Sequence, residues 1–167
     1  MKERKIIALI EEYKPEELPA RYQDIVDAAK AATLRAYAPY SKFHVGAAIR
    51  LENGEIISGA NQENAAFSVT ECAERSACFF AASQFPGVAF KQIAIAAFAE
   101  DAANPDPVTG IPFFQAQPIS PCGICRQALL EYETLHKGDI EVILFGEEKI
   151  YVLPNVRSLL PLCFTEF

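Results

Sequence analysis

The sequence predicts an α/β fold with layers of helices on a mixed β-sheet. Two strand-like segments at 43–61 form a hairpin pattern, and the chain then alternates between strand-like and helix-like segments. A hairpin pairs its strands antiparallel, whereas a strand–helix–strand unit pairs them in parallel, so the two together predict a mixed sheet. The 167 residues are 51% apolar and 22% charged, which is typical of one ordered globular domain.

The first half of the chain contains a helix, the hairpin and a second helix. Apolar residues at helical spacing predict the first helix over 20–37, which Pro39 helps to end. The hairpin strands are predicted over FHVGAAIRL and EIISGAN, because Asn53-Gly54 between them is a strong turn signal. The second helix is predicted over CAERSACFFAASQF. Residues 5–13 fit either an extra strand or a helix.

The second half alternates between strands and helices. A buried strand is predicted over KQIAIAAFA, and a helix runs from about Cys122 to Leu135. Two further strands are predicted over IEVILFG and KIYVL, and one helical turn lies in NVRSLLPLCFTEF. Four prolines with Asn, Asp and Gly predict a loop at 101–119.

Composition and charge argue against several classes of protein. The net charge of −7 disfavours a partner that is bound through its phosphates, so no nucleic acid is expected. The apolar run IAIAAFA is far shorter than the ~20 residues of a membrane span, so no membrane partner is expected. The apolar stretch Ile6–Ile10 is too short for a signal peptide, which favours a cytoplasmic, reducing compartment.

The cysteines suggest a metal site. Cys122 and Cys125 form a Cys-x-x-Cys pair, which suits a redox couple, a structural zinc site with four protein ligands, or a catalytic zinc site with three. Cys72 begins another predicted helix, and free N–H groups at helix starts favour thiolates. We interpret these three cysteines as ligands of one Zn²⁺ with an open fourth position. A redox couple and a non-catalytic zinc module remain alternatives.

Two charged residues stand two and three positions after Cys72. Glu74 would lie beside the open coordination position, where a carboxylate can take up and deliver protons. Its alternative role is that of an ordinary acidic residue in the first turn of a helix. Arg75 is expected to offset the negative charge of three thiolates on one Zn²⁺. Cys78 and Cys163 are interpreted as small buried hydrophobic residues.

Five stretches occur in the order found in one enzyme family: YAPYSKFHVGAA, GANQENAAFS, CAERSA, SPCGICRQ and SLLPLCF. Over roughly 20–167 the chain resembles the small homotetrameric zinc-dependent cytidine deaminases. The resemblance implies a three-layer α/β/α fold with about five strands. It implies one catalytic domain over 1–167, with an N-terminal extension at 1–19 and an inserted loop at 101–119.

The same resemblance implies a function. It is the hydrolytic deamination of cytidine and deoxycytidine to uridine and deoxyuridine, with release of ammonia, in pyrimidine salvage. The enzyme would be a hydrolase of C–N bonds in cyclic amidines. It would hold one Zn²⁺ per chain, take a small nucleoside as its substrate, and form a homotetramer with shared active sites.

Roles for substrate-binding residues also follow from the resemblance. Phe43 would stack on the pyrimidine, and Asn61 and Glu63 would bind the ribose hydroxyls. Backbone groups around Ala73 and Ser120 would hold the base edge. A neighbouring subunit would contribute three residues, namely Ala65, Phe67 and Phe164.

Two positions depart from the family pattern. Phe67 stands where many relatives have tyrosine, and His44 replaces a frequent proline. The alternative substrate is a modified cytosine nucleoside such as blasticidin S, although the ribose-binding pair in NQEN argues against it. Editing of single-stranded nucleic acid is disfavoured, because the sequence shows no basic groove.

Overall fold

A six-stranded mixed sheet lies at the centre of the molecule. The structure is a computed structural model that describes residues 1–100 and 112–165. Its strands are β1 (Glu11–Tyr13), β2 (Phe43–Leu51), β3 (Ile56–Ala60), β4 (Phe90–Ala99), β5 (Glu141–Phe145) and β6 (Ile150–Leu153). Its helices are α1 (Gln23–Thr33), α2 (Ala73–Gln84) and α3 (Gly123–Leu135). The strand order is β1-β6-β5-β4-β2-β3, in which β4 and β5 are parallel and the other neighbours antiparallel.

The helices cover both faces of the sheet, which confirms the three-layer α/β/α arrangement. Successive residues of a strand point to opposite faces. Ile93 and Ile95 of β4 accordingly pack in one hydrophobic core with α2 and α3. Ala94 and Ala96 pack in the other core with α1. Gly46 on β2 lets α1 lie directly on this face, because a Cβ there would lie 2.1 Å from the carbonyl oxygen of Ala29.

The hairpin and the helices are where the sequence predicts them, with one difference in length. Gly54 has φ +90°, the left-handed conformation that a tight turn requires and that glycine adopts without strain. The first helix is shorter than the predicted 20–37. Residues 20–22 form a 3-10 turn after Pro19, and the α-helix ends at Thr33.

Residues 11–13 form a sixth strand beyond the predicted five. Glu11 pairs with Val152 and Tyr13 with Ile150, so β1 extends the sheet antiparallel to β6. Of the segment 5–13, for which the sequence left strand or helix open, only Glu11–Tyr13 form a strand, and residues 5–10 form neither a strand nor a helix. Its pairing is with a segment far away in the chain, which a local pattern cannot reveal.

Two glycines allow close backbone contacts next to the cysteine-bearing segments. A Cβ at Gly59 on β3 would lie 2.5 Å from the backbone N of Ala77, so α2 rests directly on this strand. A Cβ at Gly146, just after β5, would lie 2.7 Å from the N of Pro118. The chain leading to Cys122 is therefore pressed against the end of the sheet.

The predicted loop at 101–119 is described only in part. Residues 101–111 lie outside the described residues, and 112–119 form neither helix nor strand. The single domain over 1–167, with an extension at 1–19, stays a prediction. Within the described ranges, no helix is both long and apolar enough to cross a membrane.

Candidate active site

Three cysteine sulfurs meet between the starts of α2 and α3. The Sγ atoms of Cys72 and Cys122 are 3.9 Å apart, and those of Cys122 and Cys125 are 3.4 Å apart. All three lie within 4.8 Å of one another. A tetrahedral zinc ion with bonds of about 2.3 Å needs sulfurs about 3.8 Å apart. The predicted ligand set is therefore brought together with spacings that suit Zn²⁺.

The pKa values of these thiols also suit a bound cation. A hydrogen bond from the Cys125 thiol, with further bonds from Arg75 and Cys122, lowers the pKa of Cys72 to about 5. The pKa of Cys125 is raised by that same hydrogen bond and by burial. One thiolate thus makes the next one costly, and a bound cation would favour the ionisation of all three sulfurs together.

The arrangement favours a metal site over a redox couple of Cys122 and Cys125. A two-cysteine couple has no use for a third sulfur 3.9 Å from Cys122. In residues 1–100 and 112–165 the cluster offers Cys72, Cys122 and Cys125 and no fourth His, Cys, Asp or Glu ligand. Three protein ligands are typical of a catalytic zinc site, which keeps one position for a reactant.

Glu74 is buried beside the sulfurs in the first turn of α2. Its exposed fraction is 5%, and burial, together with the nearby Cys72, raises its pKa to about 7. The Cys125 thiol hydrogen-bonds to it, which acts in the opposite direction. A bound dication would also favour the carboxylate. A carboxyl group balanced in this way can both accept and release a proton, as the sequence predicts for Glu74.

Arg75 lies against the metal cluster. Its guanidinium hydrogen-bonds to Cys72 and is electrostatically coupled to Cys125. Its Nε also lies 3.0 Å from Oε1 of Glu71, although the two atoms are not aligned for a hydrogen bond. The cation is therefore shared between a carboxylate and a thiolate, in the position that a compensating charge requires.

The predicted ribose-binding segment lies next to Cys72. Gln62 and Glu71 exchange two backbone hydrogen bonds of 2.9 Å, which ties the segment 61–63 to the residue before Cys72. Asn61 and Glu63 flank Gln62 directly. The fold thus brings Gln62 and Cys72, which are ten positions apart in sequence, to the same end of the sheet.

The side chains of Asn61 and Glu63, the two ribose-binding candidates, already form hydrogen bonds with nearby backbone groups. The Asn61 amide accepts from the N–H of Val45 at 2.8 Å and donates to the carbonyl of Phe43 at 2.9 Å. Oε2 of Glu63 accepts from the N–H of Tyr40 at 2.9 Å. Each side chain keeps further hydrogen-bonding capacity, since an amide has two donors and a carboxylate about four acceptor sites.

A family model for the cytidine and deoxycytidylate deaminase zinc-binding region matches residues 19–137, which is most of the chain and includes all three cysteines. The chain belongs to this deaminase family. The match also includes Glu74 and Arg75, so the matched region contains the three cysteines and both of these neighbours.

Individual relatives agree with this assignment. The chain is 42% identical to a cytidine deaminase of Sporosarcina psychrophila, over 71% of this chain and 81% of that protein. It is 36% identical to a cytidine deaminase of Halalkalibacterium halodurans, over 86% and 93% respectively. Among solved structures, a cytidine deaminase from Burkholderia pseudomallei matches with a TM-score of 0.67 at 35% identity, covering 86% of this chain and 98% of that one.

A more distant relative bears on the alternative substrate. A blasticidin-S deaminase of Bacillus cereus is 31% identical over 75% of this chain and 79% of that protein. Both its identity and its coverage of that protein are lower than those of the two cytidine deaminases above.

The remaining predicted residues of this family member lie around the cluster or on the surface. Ala73 is fully buried at the start of α2, and the hydroxyl of Ser120 accepts a hydrogen bond from Arg126. Phe43 is half-buried at the start of β2. Phe67 is 89% exposed and Phe164 is 63% exposed, so both rings extend from the surface of the single chain. Ala65 is also exposed.

Sequence reasoning missed two residues that organise the α3 side of the site. Arg126 hydrogen-bonds to the loop before Cys122, and the buried Glu133 accepts from backbone N–H groups beyond β6. One signal for Arg126 was available. A cation among the first four residues of a helix opposes the helix dipole, so its presence there calls for a specific partner.

Proposed function

We propose that this chain catalyses the zinc-dependent hydrolytic deamination of cytidine and deoxycytidine to uridine and deoxyuridine, releasing ammonia. The observation that carries the proposal is the meeting of three sulfurs with a buried carboxyl group, Glu74, at two helix starts. Membership of the deaminase family, and relatives named as cytidine deaminases, support the choice of substrate. The reaction fits a role in pyrimidine salvage.

The residues present suit Zn²⁺, and Cys72, Cys122 and Cys125 would hold it. When bound, zinc supplies Lewis acidity that makes water a nucleophile near neutral pH. Glu74 moves the protons. It takes one from the attacking water and delivers it to N3 of cytosine, and later it carries a second proton to the amino group as the C4–N bond breaks. Water supplies the oxygen of the product, and the nitrogen leaves as ammonia.

Arg75 and the two helix starts would hold the charge of the three thiolates in place. The guanidinium hydrogen-bonds to Cys72 and so stabilises its ionised form. Arg75 is not required to touch the substrate. It acts through the sulfur ligands.

The nucleoside would lie between the metal cluster and the ends of β2 and β3. Phe43 would stack on the pyrimidine, and Asn61 with Glu63 would bind the ribose hydroxyls, each with its remaining hydrogen-bonding capacity. Backbone groups of Ala73 and Ser120 would hold the base edge. The backbone pairing of the segment 61–63 with Glu71 supports this placement, because it fixes the ribose-binding pair beside Cys72.

A homotetramer with shared active sites is also part of the proposal. Large exposed apolar side chains support burial of this surface between subunits, including Phe67, Phe79, Phe80 and Phe164. Ala65, Phe67 and Phe164 of one subunit would then close the site of its neighbour. Sedimentation of dilute protein should give four chains per particle, and an active monomer would contradict this part of the proposal.

The remaining parts concern location and partners. Five free cysteines agree with a reducing compartment such as the cytoplasm. The net charge of −7 supports the absence of a nucleic-acid partner.

The second candidate substrate is a modified cytosine nucleoside such as blasticidin S. The 31% identity to a blasticidin-S deaminase favours keeping it. The two substrates differ in the sugar, so the ribose-binding pair decides between them.

The test combines metal analysis with ammonia release from four compounds: cytidine, deoxycytidine, blasticidin S and free cytosine. The expected result is about one zinc per chain and fast release from the two nucleosides alone. Turnover of blasticidin S above that of cytidine would select the second candidate. Zinc without any turnover would favour a non-catalytic module.

The variant Glu74→Gln tests the proton path. It keeps the size of the side chain but removes the base, so we expect bound zinc to remain and kcat to fall by about 10²-fold or more. Cys78→Ala, in the buried core of α2, is the control and should keep both zinc and rate. Near-normal kcat in Glu74→Gln would remove Glu74 from the mechanism.

A further inference from the structure

We propose that Arg126 is a positioning residue for the metal centre. Its guanidinium fastens the loop 120–122, which carries Cys122, to the C-terminal segment 155–164. The inference rests on the proposed function, because its consequence is the placement of a zinc ligand.

Three hydrogen bonds of one side chain define this role. Nε of Arg126 donates to the carbonyl of Pro121 at 2.8 Å, and Nη2 donates to the hydroxyl of Ser120 at 2.8 Å. Nη1 donates to the carbonyl of Leu159 at 3.0 Å. A guanidinium presents its donors in a rigid plane, so three simultaneous bonds fix the relative orientation of the segments that they join.

The loop before α3 has few hydrogen-bond donors of its own close to Cys122. Pro118 and Pro121 have no backbone N–H, so these residues cannot fix the loop with donors of their own. Cys122 is the N-cap of α3, and its side chain makes no capping hydrogen bond. The Cys122 side chain is exposed, unlike the fully buried Cys125, and the loop before it packs on the core only through Ile119 and the buried Pro121. The carbonyl that Arg126 binds belongs to the peptide bond that leads into Cys122.

The contacts of Arg126 are hydrogen bonds to uncharged groups and do not include an ion pair. Among the ion pairs of residues 1–100 and 112–165, none involves Arg126. Its positive charge near the start of α3 opposes the helix dipole. Three directed bonds to two carbonyls and one hydroxyl account for an arginine at this position, and a lysine could not make all three.

The other end of the link is itself held firmly. Leu159 belongs to the 3-10 helix Val156–Leu159. The buried carboxylate of Glu133 accepts from the N–H of Val156 at 2.7 Å and of Ile140 at 3.2 Å. Two turns of α3 away from Glu133, Gln127 donates to the carbonyl of Phe164 at 2.8 Å. The C-terminal segment is therefore attached along α3, and Arg126 joins the ligand loop to this rigid unit.

The experiment compares Arg126→Gln and Arg126→Lys with the unmodified enzyme. Zinc affinity is measured by competition with a chelator, and the geometry of the site by the visible absorption of the Co²⁺-substituted protein. Arg126→Gln should bind zinc about 10-fold less tightly, as expected when a residue that orients a metal ligand is lost. Its Co²⁺ spectrum should lose intensity, because a displaced thiolate distorts the tetrahedral site.

Arg126→Lys separates the effect of the hydrogen-bond geometry of arginine from the effect of its charge. Lysine keeps the charge but not the planar fork, so its zinc affinity and Co²⁺ spectrum should resemble those of Arg126→Gln. The control is Arg157→Gln, which removes an exposed arginine of the same C-terminal segment and should leave both readouts unchanged. Full zinc affinity in Arg126→Gln, or full recovery in Arg126→Lys, would overturn the proposal.

A milder variant keeps the test informative if Arg126→Gln fails to fold. Ser120→Ala removes only the partner of Nη2 and should weaken zinc binding by a smaller factor than Arg126→Gln, with the remaining two bonds intact. Unchanged zinc affinity in Ser120→Ala, where Arg126→Gln cannot be purified, counts against the proposal. Zinc content and ammonia release of the unmodified enzyme test the proposed function separately from all these comparisons.

Discussion

The starts of α2 and α3 deliver sulfurs to one centre, but different forces hold them in place. The start of α2 is held by packing. Ala73 and Ala77 are fully buried, and the absence of a side chain at Gly59 lets the helix backbone touch β3. Cys72 and Glu74 are carried on this part of the helix, so their position depends on the core of the protein.

The start of α3 is held by polar contacts as well as by the packing of Pro121 and Cys125. Cys122 is exposed, and its loop is fixed by the three hydrogen bonds of Arg126 and by backbone contact at Gly146. Two of these bonds are local, and the third joins Arg126 to Leu159 in the C-terminal segment.

We therefore expect the two halves of one metal centre to fail in different ways. A change in the packing beneath α2 disturbs the whole core and should lower global stability. A change in the polar contacts of α3 should alter metal affinity while the fold persists. Glu74, the proposed proton carrier, lies on the half that is the harder to displace.

Loss of a zinc ligand should change the protein most. Cys122→Ala should reduce bound zinc from about one per chain to nearly none, because two thiols are too few to hold the ion. Metal analysis after gel filtration measures this. Cys78→Ala is the matched control, since Cys78 lies in the core and burial raises its pKa to about 12. Equal zinc loss in the two variants would show that the ligand set is wrong.

The next effect concerns the packed half. Gly59→Ala should lower the free energy of unfolding by about 1–3 kcal/mol, because the new methyl group would meet the backbone of Ala77. Urea unfolding of the zinc-free protein measures it. Gly138→Ala is the control, because a Cβ there would meet only a carbonyl oxygen at 3.8 Å. If Gly59→Ala is as stable as this control, the packing account of α2 does not hold.

The smallest expected effect concerns the charge between the two halves. Arg75→Gln should weaken zinc binding by about 10-fold, since the ionised Cys72 loses a hydrogen-bonding cation. The unfolding of the zinc-free protein should change little. Lys91→Gln removes a surface cation that pairs with Glu52 and should leave zinc affinity unchanged. Unaltered zinc affinity in Arg75→Gln would leave charge compensation to the two helix starts.

The parts that could be predicted from the sequence depend on local patterns. The hairpin follows from Asn53-Gly54, whose glycine has the positive φ that the turn needs. The sulfur cluster follows from cysteines placed at two helix starts, a position that can be read from the chain alone. Alternation along β4 separates the two cores in the same local way.

The parts that could not be predicted depend on contacts between distant segments. Leu159 accepts from Arg126 across 33 positions, and no local pattern indicates such a pair. The strand β1 has only three residues, and it is a strand because it pairs with β6. Glu133 looks like an ordinary helix residue in the sequence, yet in the fold it is a buried carboxylate that gathers backbone N–H groups.

The short strand β1 also has a consequence for aggregation. It covers the edge of β6, where Ile150 and Val152 would otherwise offer an apolar strand to another chain. Glu11 and Glu12, both exposed, place two carboxylates along the new edge. A second strand that approached this edge would have to bring its backbone beside these charges, which natural sheets use to prevent edge-to-edge pairing. Growth of the sheet into a larger aggregate is therefore disfavoured on this side.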